Sequence, residues 1–469
     1  MKRIVVSSIA ALTFISAAAQ IDMGVPTATG KGGVSTALLG NFEAIGVNPA
    51  NLGFSDNHKF SFTLANVGMT MQSKAIDFTT MKDAILHPGD TFSAAQKQQY
   101  AQMFSTPDGF NMQANVNWFA GSMYFPKLGG LAINVRDRAF ANVSLSQNAA
   151  DILFNGINSS VYQDTTVLNQ FMSKVLDGCS FTYLHYRELN VAYGRRILGF
   201  GAEDENGNPA IQVLGGIGLK YLWGLGNANA KITKDLLTGQ ASFTTNYNIN
   251  YGNIQNFTPQ STSQLFNSVG SGYAMDLGAT LFIKDKIRFA VSMNDIGGIN
   301  WKNNVLIASD TTMPPLDSTN TGLNSWQLGS QAGFLFGNTG FMNYNAGKDY
   351  KTNLPSRMRI GYGMKLGERV LLGADVVIPT NKTLYNLEKP YMAVGGEVKI
   401  GEIIHFNLGL SGNSDLGWNV PMGLTFGPIG FFEIGLATGD VLTYFSSTRN
   451  PNLSFALGFI RFNFKAEKE

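Results

Sequence analysis

The sequence predicts an all-β fold: a transmembrane antiparallel β-barrel of about 14 strands, within a range of about 12 to 16. Three observations lead there. Across residues 357–464, segments of roughly ten residues alternate apolar side chains with polar ones or glycine, the pattern of a strand set between lipid and a watery lumen. Met358, Ile360, Tyr362 and Met364 share one parity, and Arg359, Gly361, Gly363 and Lys365 share the other. Glycine makes up 53 of the 469 residues, and only 14% are charged, against about 25% in soluble domains. Finally, Lys2-Arg3, an apolar run over residues 4–15 and Ala17-Ala18-Ala19 read as a secretory signal over residues 1–19, leaving Gln20 as the first mature residue. No cysteine adjoins that site, so a lipid anchor is not expected. No later apolar run reaches the ~18 residues of a spanning helix. Of the two fates left to an exported chain, the strand pattern favours the outer membrane over secretion.

Residues 20–58 are rich in Gly, Ala and Asn. Asn41 and Asn48 suit helix N-caps and Pro49 suits a first helical turn. Two readings are open: a plug inside the lumen, or a flexible periplasmic leader. The barrel proper takes residues 59–469. Its first strand, residues 59–71, sets Phe60, Phe62 and Leu64 on one face. After an insertion at 72–110, with a helix expected over 93–104, residues 111–125 oppose Met112, Ala114, Val116 and Trp118 to Gln113, Asn115 and Asn117. The third strand, residues 131–145, points Leu131, Ile133 and Val135 outward and Asn134, Arg136 and Arg138 inward. A helical insertion covers 146–178. The fourth strand, residues 181–197, sets Leu189, Val191 and Tyr193 against Glu188 and Asn190.

Short turns of bacterial barrels face the periplasm and long loops face outside. Lys284-Asp285-Lys286 is short, so 224–270 reads as one extracellular excursion, with a hairpin turning at Thr238-Gly239 and returning to Tyr251. Residues 297–356 form another. Within them, Trp326 to Phe336 resembles a strand, and a crossing there raises the count to about 16. Seven crossings follow after Arg357. Trp118, Tyr221, Trp223 and Trp418 are candidates for interfacial aromatic girdles.

Asn48-Pro49-Ala50, following a Gly- and Ala-rich stretch and preceding the first strand, resembles the N-terminal region of the FadL-like outer-membrane transporters. The stretches Gly218-Leu219-Lys220-Tyr221-Leu222-Trp223-Gly224, Asp276-Leu277-Gly278, Asn294-Asp295-Ile296-Gly297-Gly298-Ile299-Asn300-Trp301 and Leu354-Pro355 are similar to a largely uncharacterised outer-membrane barrel family of gliding and gut-dwelling Gram-negative bacteria. The resemblance implies a barrel with a lumenal plug, in the cell outer membrane. It does not indicate a ligand. The chain departs from the usual outer-membrane ending, because Lys465 to Glu469 follow Phe464.

Chemistry is sparse. Gly30-Lys31-Gly32-Gly33-Val34-Ser35-Thr36 lacks the strand-to-helix setting of a phosphate loop. No Gly-x-Ser-x-Gly elbow or His-Glu-x-x-His motif occurs, so an enzyme is not expected. His58, His87, His185 and His405 show no metal-ligand spacing, and no metal or cofactor is expected. The single cysteine, Cys179, excludes an internal disulfide. A net charge of +2 gives no ground for a nucleic-acid partner. Lumen candidates are Arg136, Arg138, Glu188, Lys220 and Asp276, with His185 joining them on a shifted register. They form a polar path, a mixed-charge cluster holding the plug, or an ordinary hydrated interior. Ile152, Leu153 and Phe154, with Phe171 and Met172, make an apolar helical stretch in an extracellular loop, which either receives a greasy ligand or packs over the mouth.

Two functions remain. The first is admission of small hydrophobic or amphipathic molecules past a movable plug, with outer-membrane lipid around it. The second is a non-transporting platform for a secretion, motility or surface-assembly partner.

Overall fold

The computed structural model describes residues 24–54, 58–73, 76–105, 109–203, 208–247, 267–316, 318–327, 343–383, 385–401, 403–429, 432–445 and 452–465. The signal segment therefore lies outside the described residues. Fourteen strands run around the barrel in chain order: β1 His58–Ser73, β2 Phe110–Phe125, β3 Gly129–Ser144, β4 Ser180–Glu203, β5 Pro209–Thr233, β6 Gly270–Ile283, β7 Ile287–Trp301, β8 Arg357–Leu366, β9 Val370–Pro379, β10 Tyr391–Ile400, β11 Ile404–Asn413, β12 Met422–Ile429, β13 Phe432–Thr438 and β14 Asn452–Lys465. Every neighbouring pair is antiparallel. The sheet closes at β1, where Leu64 lies opposite Phe119 of β2 and Ile460 of β14. Closure leaves no free edge, which is what lets a sheet satisfy its backbone in lipid.

The wall is uneven. β4 and β5 have 24 and 25 residues, while β12 and β13 have 8 and 7. β5 runs past Gly224, its last residue paired with β6, into the extracellular layer, while β4 outruns β3 beyond Gly194 at the opposite end. Alternation sets the outer face: Leu131, Ile133, Val191, Leu219, Tyr273 and Val291 are exposed to the surroundings. Leu219 is 59% exposed midway along the spanning part of β5. Leu219→Arg is expected to cost about 2–4 kcal/mol, read from urea titration of the protein folded into vesicles; an unchanged midpoint would place this face away from lipid. In the aromatic set, Trp118 and Trp418 are exposed, and Tyr221 packs edge-on to Trp223 at 4.7 Å and to Tyr273 at 5.3 Å.

Bulges interrupt the alternation. Ala65 has φ +54° and shifts the parity of β1, so Ser61 and Thr63 below it and Asn66 and Thr70 above it all face inward. Asp295 has φ +58° and shifts β7 where it faces β6, between Met275 and Leu277.

In the extracellular layer, the helix Ala94–Phe104 starts at Ser93, whose side chain and Gln96 cap each other reciprocally. The strand Leu236–Phe243 pairs with the far end of β5. Its turn is Lys234-Asp235, both in the left-handed region at φ +53° and +62°, rather than Thr238-Gly239; those two sit within the ladder, opposite Lys231 and Ala230. The expected return to Tyr251 runs into residues outside those described, as does most of the stretch from Trp326 to Phe336. Trp326 itself lies in no strand and packs between Phe92 and Tyr100, at 5.0 and 4.9 Å.

Candidate functional site

Residues 24–54 are folded inside the barrel as a helical turn, Pro26–Thr29, and two 3-10 turns, Asn41–Ala44 and Pro49–Gly53. The inner wall admits them because it is glycine where their backbone passes. A Cβ on Gly395 would lie 2.5 Å from the Lys31 carbonyl oxygen, one on Gly409 2.8 Å from the same atom, and one on Gly361 2.7 Å from Thr36 Cβ. On the opposite wall, side chains on Gly194 and Gly216 would enter the Pro49 backbone, and one on Gly130 would enter that of Leu52. Strand glycines that mark a close backbone approach explain these positions better than turn chemistry does.

Polar clasps complete the fit. Asn48 Nδ2 donates to Thr280 Oγ1 at 2.8 Å and to the Thr36 carbonyl at 3.0 Å, and Asn48 Oδ1 accepts from the Ala50 amide at 3.1 Å. Pro49 opens the 3-10 turn, and Ala50 is buried beside Leu214 and Phe282. Asn51 Nδ2 donates to the Leu39 carbonyl at 2.7 Å. The two amides thus join both halves of the segment to each other and to β6. Ser292 and Asn294 donate to the Val47 carbonyl at 2.7 and 2.9 Å. On β9, Asp375 accepts from the Ser35 and Thr36 amides at 3.0 and 2.9 Å. Lys31 reaches Glu397 at 3.4 Å, and Glu397 also meets His405 at 2.9 Å. Glu43 pairs with Arg461, which meets Glu433 at 3.0 Å.

The five lumen candidates come together. Arg136 Nε meets Glu188 at 2.5 Å, Arg138 lies 3.9 Å from Glu188, and Lys220 meets Asp276 at 2.8 Å. Asp295 is the member that strand parity does not reveal. It holds Lys220 at 2.5 Å and Arg138 at 2.8 Å. Asn294 and Asp295 both point inward because the bulge at Asp295 breaks the alternation, and its amide donates to Asp276 Oδ1 at 2.9 Å. The available signal was the Asn294-Asp295 pair, since Asn and Asp tolerate positive φ. Arg136, Arg138 and Lys220 balance Glu188, Asp276 and Asp295, so the cluster is formally neutral. The N-terminal segment touches it at Gly46 (φ +75°), where a Cβ would lie 2.7 Å from Arg136 Nη2. His185 does not join: with Tyr186 and Glu188 inward, it faces outward and bonds to the Tyr247 hydroxyl.

Toward the extracellular end, Phe140, Tyr186, Leu222, Trp301 and Tyr385 form a buried apolar cluster. Arg138 lies against it, 5.3 Å from the Phe140 ring and 5.8 Å from that of Tyr186. Among the loop candidates, Ile152, Phe154 and Met172 are buried, Leu153 is half-buried, and Phe171 is 56% exposed. Phe154 packs on Tyr100 and Phe104, and Ile152 packs in a cluster with Ile232 and Leu237. This helix is thus a core element of the extracellular layer rather than an open groove. Burial pushes the Cys179 thiol pKa up, and its sulfur donates to Ser146 Oγ at 3.3 Å, so it caps a loop.

A model of a family of unknown function, DUF5723, matches residues 49–438. The chain belongs to DUF5723. The match begins at Pro49, inside the Asn48-Pro49-Ala50 motif, and ends at Thr438, the last residue of β13. No curated protein matches the chain. It is similar in structure to a deltaS2S3 mutant of TodX, described as a monoaromatic hydrocarbon channel, with a TM-score of 0.49, 10% identity, and 94% of this chain and 99% of that one covered. Similar too are the Ralstonia pickettii toluene transporter TbuX, with a TM-score of 0.44, 10% identity and coverage of 94% and 98%, and a Pseudomonas aeruginosa FadL homologue, with a TM-score of 0.41, 9% identity and coverage of 93% and 95%. This DUF5723 member is an outer-membrane β-barrel: its sheet is closed, its outer wall is apolar and its lumen is polar.

Proposed function

We propose that the barrel admits a small hydrophobic or amphipathic molecule, and that residues 24–54 act as the plug that must shift to let it pass. The observation that carries this reading is the manner of attachment. The segment is held by individually replaceable hydrogen bonds and ion pairs to β6, β7, β9, β10 and β14, over a glycine track. It is not held by a continuous strand ladder, so it can be released without unmaking the wall. The apolar cluster around Trp301 and Tyr385 gives an entering molecule apolar contact, and burial of such surface yields about 25 cal/mol per Å². The passenger is small because the neutral charged cluster crowds the mid-lumen beside Gly46.

Deleting residues 25–53 tests the plug. The truncated barrel, in planar bilayers, is expected to show steady conductance where the full chain is closed. A truncated barrel that folds yet stays closed would remove the plug role. A full chain that accumulates no hydrophobic probe in liposomes, and retains a bound polypeptide after mild extraction, would favour the platform reading.

A further inference from the structure

The lipid-facing belt is lowest at β12 and β13. Gly435 faces the N-terminal segment at Pro26, so Phe432, Ile434, Leu436 and Thr438 face outward. β13 has seven residues. At a rise of about 3.4 Å per residue and a tilt of about 35–45°, such a strand climbs about 17–20 Å, short of the ~25 Å apolar band of an outer-membrane barrel. On the neighbouring β14 the outward row runs from Phe464 up to Phe455, opposite Phe60 to Met69 of β1. Above that row the outer face is covered by the chain itself: Ile76, and Met81 of the helix Phe78–Leu86, pack with Met71, Met112 and Leu453. Phe455 lies opposite Thr438, the last residue of β13. The turn that follows Thr438 therefore stands at the upper edge of the band.

That turn is a single 3-10 turn, Val441–Tyr444, with Phe445 at its end. Asp440 and Thr443 are buried and tie it down. Thr443 Oγ1 donates to Asp440 Oδ2 at 2.8 Å, the Val420 amide donates to Asp440 Oδ1 at 2.9 Å, and the Asn452 amide donates to Thr443 Oγ1 at 3.1 Å. Between these ties Leu442, Tyr444 and Phe445 are exposed, Phe445 to 82%. Tyr444 lies on the outer side of the wall: its hydroxyl is 3.5 Å from Oγ1 of the outward-facing Thr438, and its ring meets Phe78 edge-on at 5.6 Å. Residues 441–448 carry no charge. One exposed apolar side chain needs no explanation, whereas three on one fixed turn, continuous with Leu436 and Phe455 below, make a patch that does.

We propose that residues 441–445 are a membrane anchor: Leu442, Tyr444 and Phe445 enter the outer leaflet at its headgroup boundary and complete the lipid-facing belt where β12 and β13 are too short to do so. The role is separate from admission and does not depend on it. The occupant is lipid because the patch continues the lipid-facing wall, lies at the upper edge of the band and offers no charge to a partner. A 3-10 turn rises about 2 Å per residue, so four residues supply up to about 8 Å, the height that β13 lacks. Tyrosine suits this level, with its ring in the apolar layer and its hydroxyl at the polar edge.

The test uses the full mature chain carrying Cys179→Ser and one new cysteine, spin-labelled and folded into dioleoylphosphatidylcholine vesicles. A label at Phe445→Cys is expected to be relaxed by oxygen, as at lipid-facing Leu219→Cys, and shielded from a water-soluble nickel complex that reaches Lys231→Cys. A label as open to nickel as position 231 overturns the anchor; if it becomes shielded in membranes of the native cell, the turn docks a protein instead. A second measurement needs no label. Leu442→Ser with Phe445→Ser is expected to lower the folded-to-unfolded ratio about tenfold in dioleoyl vesicles, the loss of one buried apolar side chain or more. The loss should shrink in dilauroyl vesicles, whose thinner core β12 and β13 match unaided. No loss in either lipid, or an equal loss in both, would show that the turn does not complete the belt.

Discussion

Lys220→Met should destabilise the barrel by about 3–5 kcal/mol, the cost of breaking a buried ion pair from one side. The ammonium is buried and meets two carboxylates, Asp276 at 2.8 Å and Asp295 at 2.5 Å. Methionine keeps the volume and stem but removes the only cation that Asp276 contacts among the described ion pairs. What remains is Arg136 and Arg138 against three carboxylates. Asp276→Asn in the same chain restores neutrality and is expected to recover most of the loss, because a balanced buried set costs far less than an unpaired charge. Lys231→Met, on the exposed end of β5, should stay within about 0.5 kcal/mol. The measurement is the urea midpoint of vesicle-folded protein. A single variant as stable as the parent, or a double variant less stable than the single, would show that the cluster is solvated rather than dry.

That cluster also shows how far the sequence was legible. Arg136, Arg138, Glu188, Lys220 and Asp276 fall on inward parity within unbroken stretches of β3, β4, β5 and β6, so alternation alone placed them. Asp295 escaped because a bulge is a local backbone event that alternation cannot express; by parity from Ser292 and Asn294 it belongs outside. The same limit decided the extracellular hairpin. Lys234-Asp235 and Lys284-Asp285 make the same positive-φ turn. The second was evident because it stands alone, while the first was masked by Gly239, a stronger turn residue that here sits in the ladder beside Ala308, 2.8 Å from where its Cβ would be. Fourteen crossings could be counted because the lipid face of each strand is apolar. The path of residues 24–54 could not, because it is written in which wall glycines face inward, and glycine in a strand reads equally as bulge, bend or close approach.

Gly216→Val is expected to expel the segment around Pro49 and leave the barrel open. The glycine faces inward on β5, and a side chain there would occupy the Pro49 backbone itself, which cannot yield as a flexible side-chain tip would. Valine suits a strand, so the wall tolerates it; the clash falls on the segment. Steady bilayer conductance should approach that of the chain lacking residues 25–53, with heat-modifiable gel mobility retained. Combining the two changes should then add nothing, since groups acting through one element are not additive. Gly395→Val repeats the test on the far wall, against Lys31. If that variant opens the barrel and Gly216→Val does not, the half of the segment before Gly40 is the part that closes it. If both variants fold and stay closed while the deletion conducts, the segment has slack enough to re-seat, and the glycine track is not what holds it.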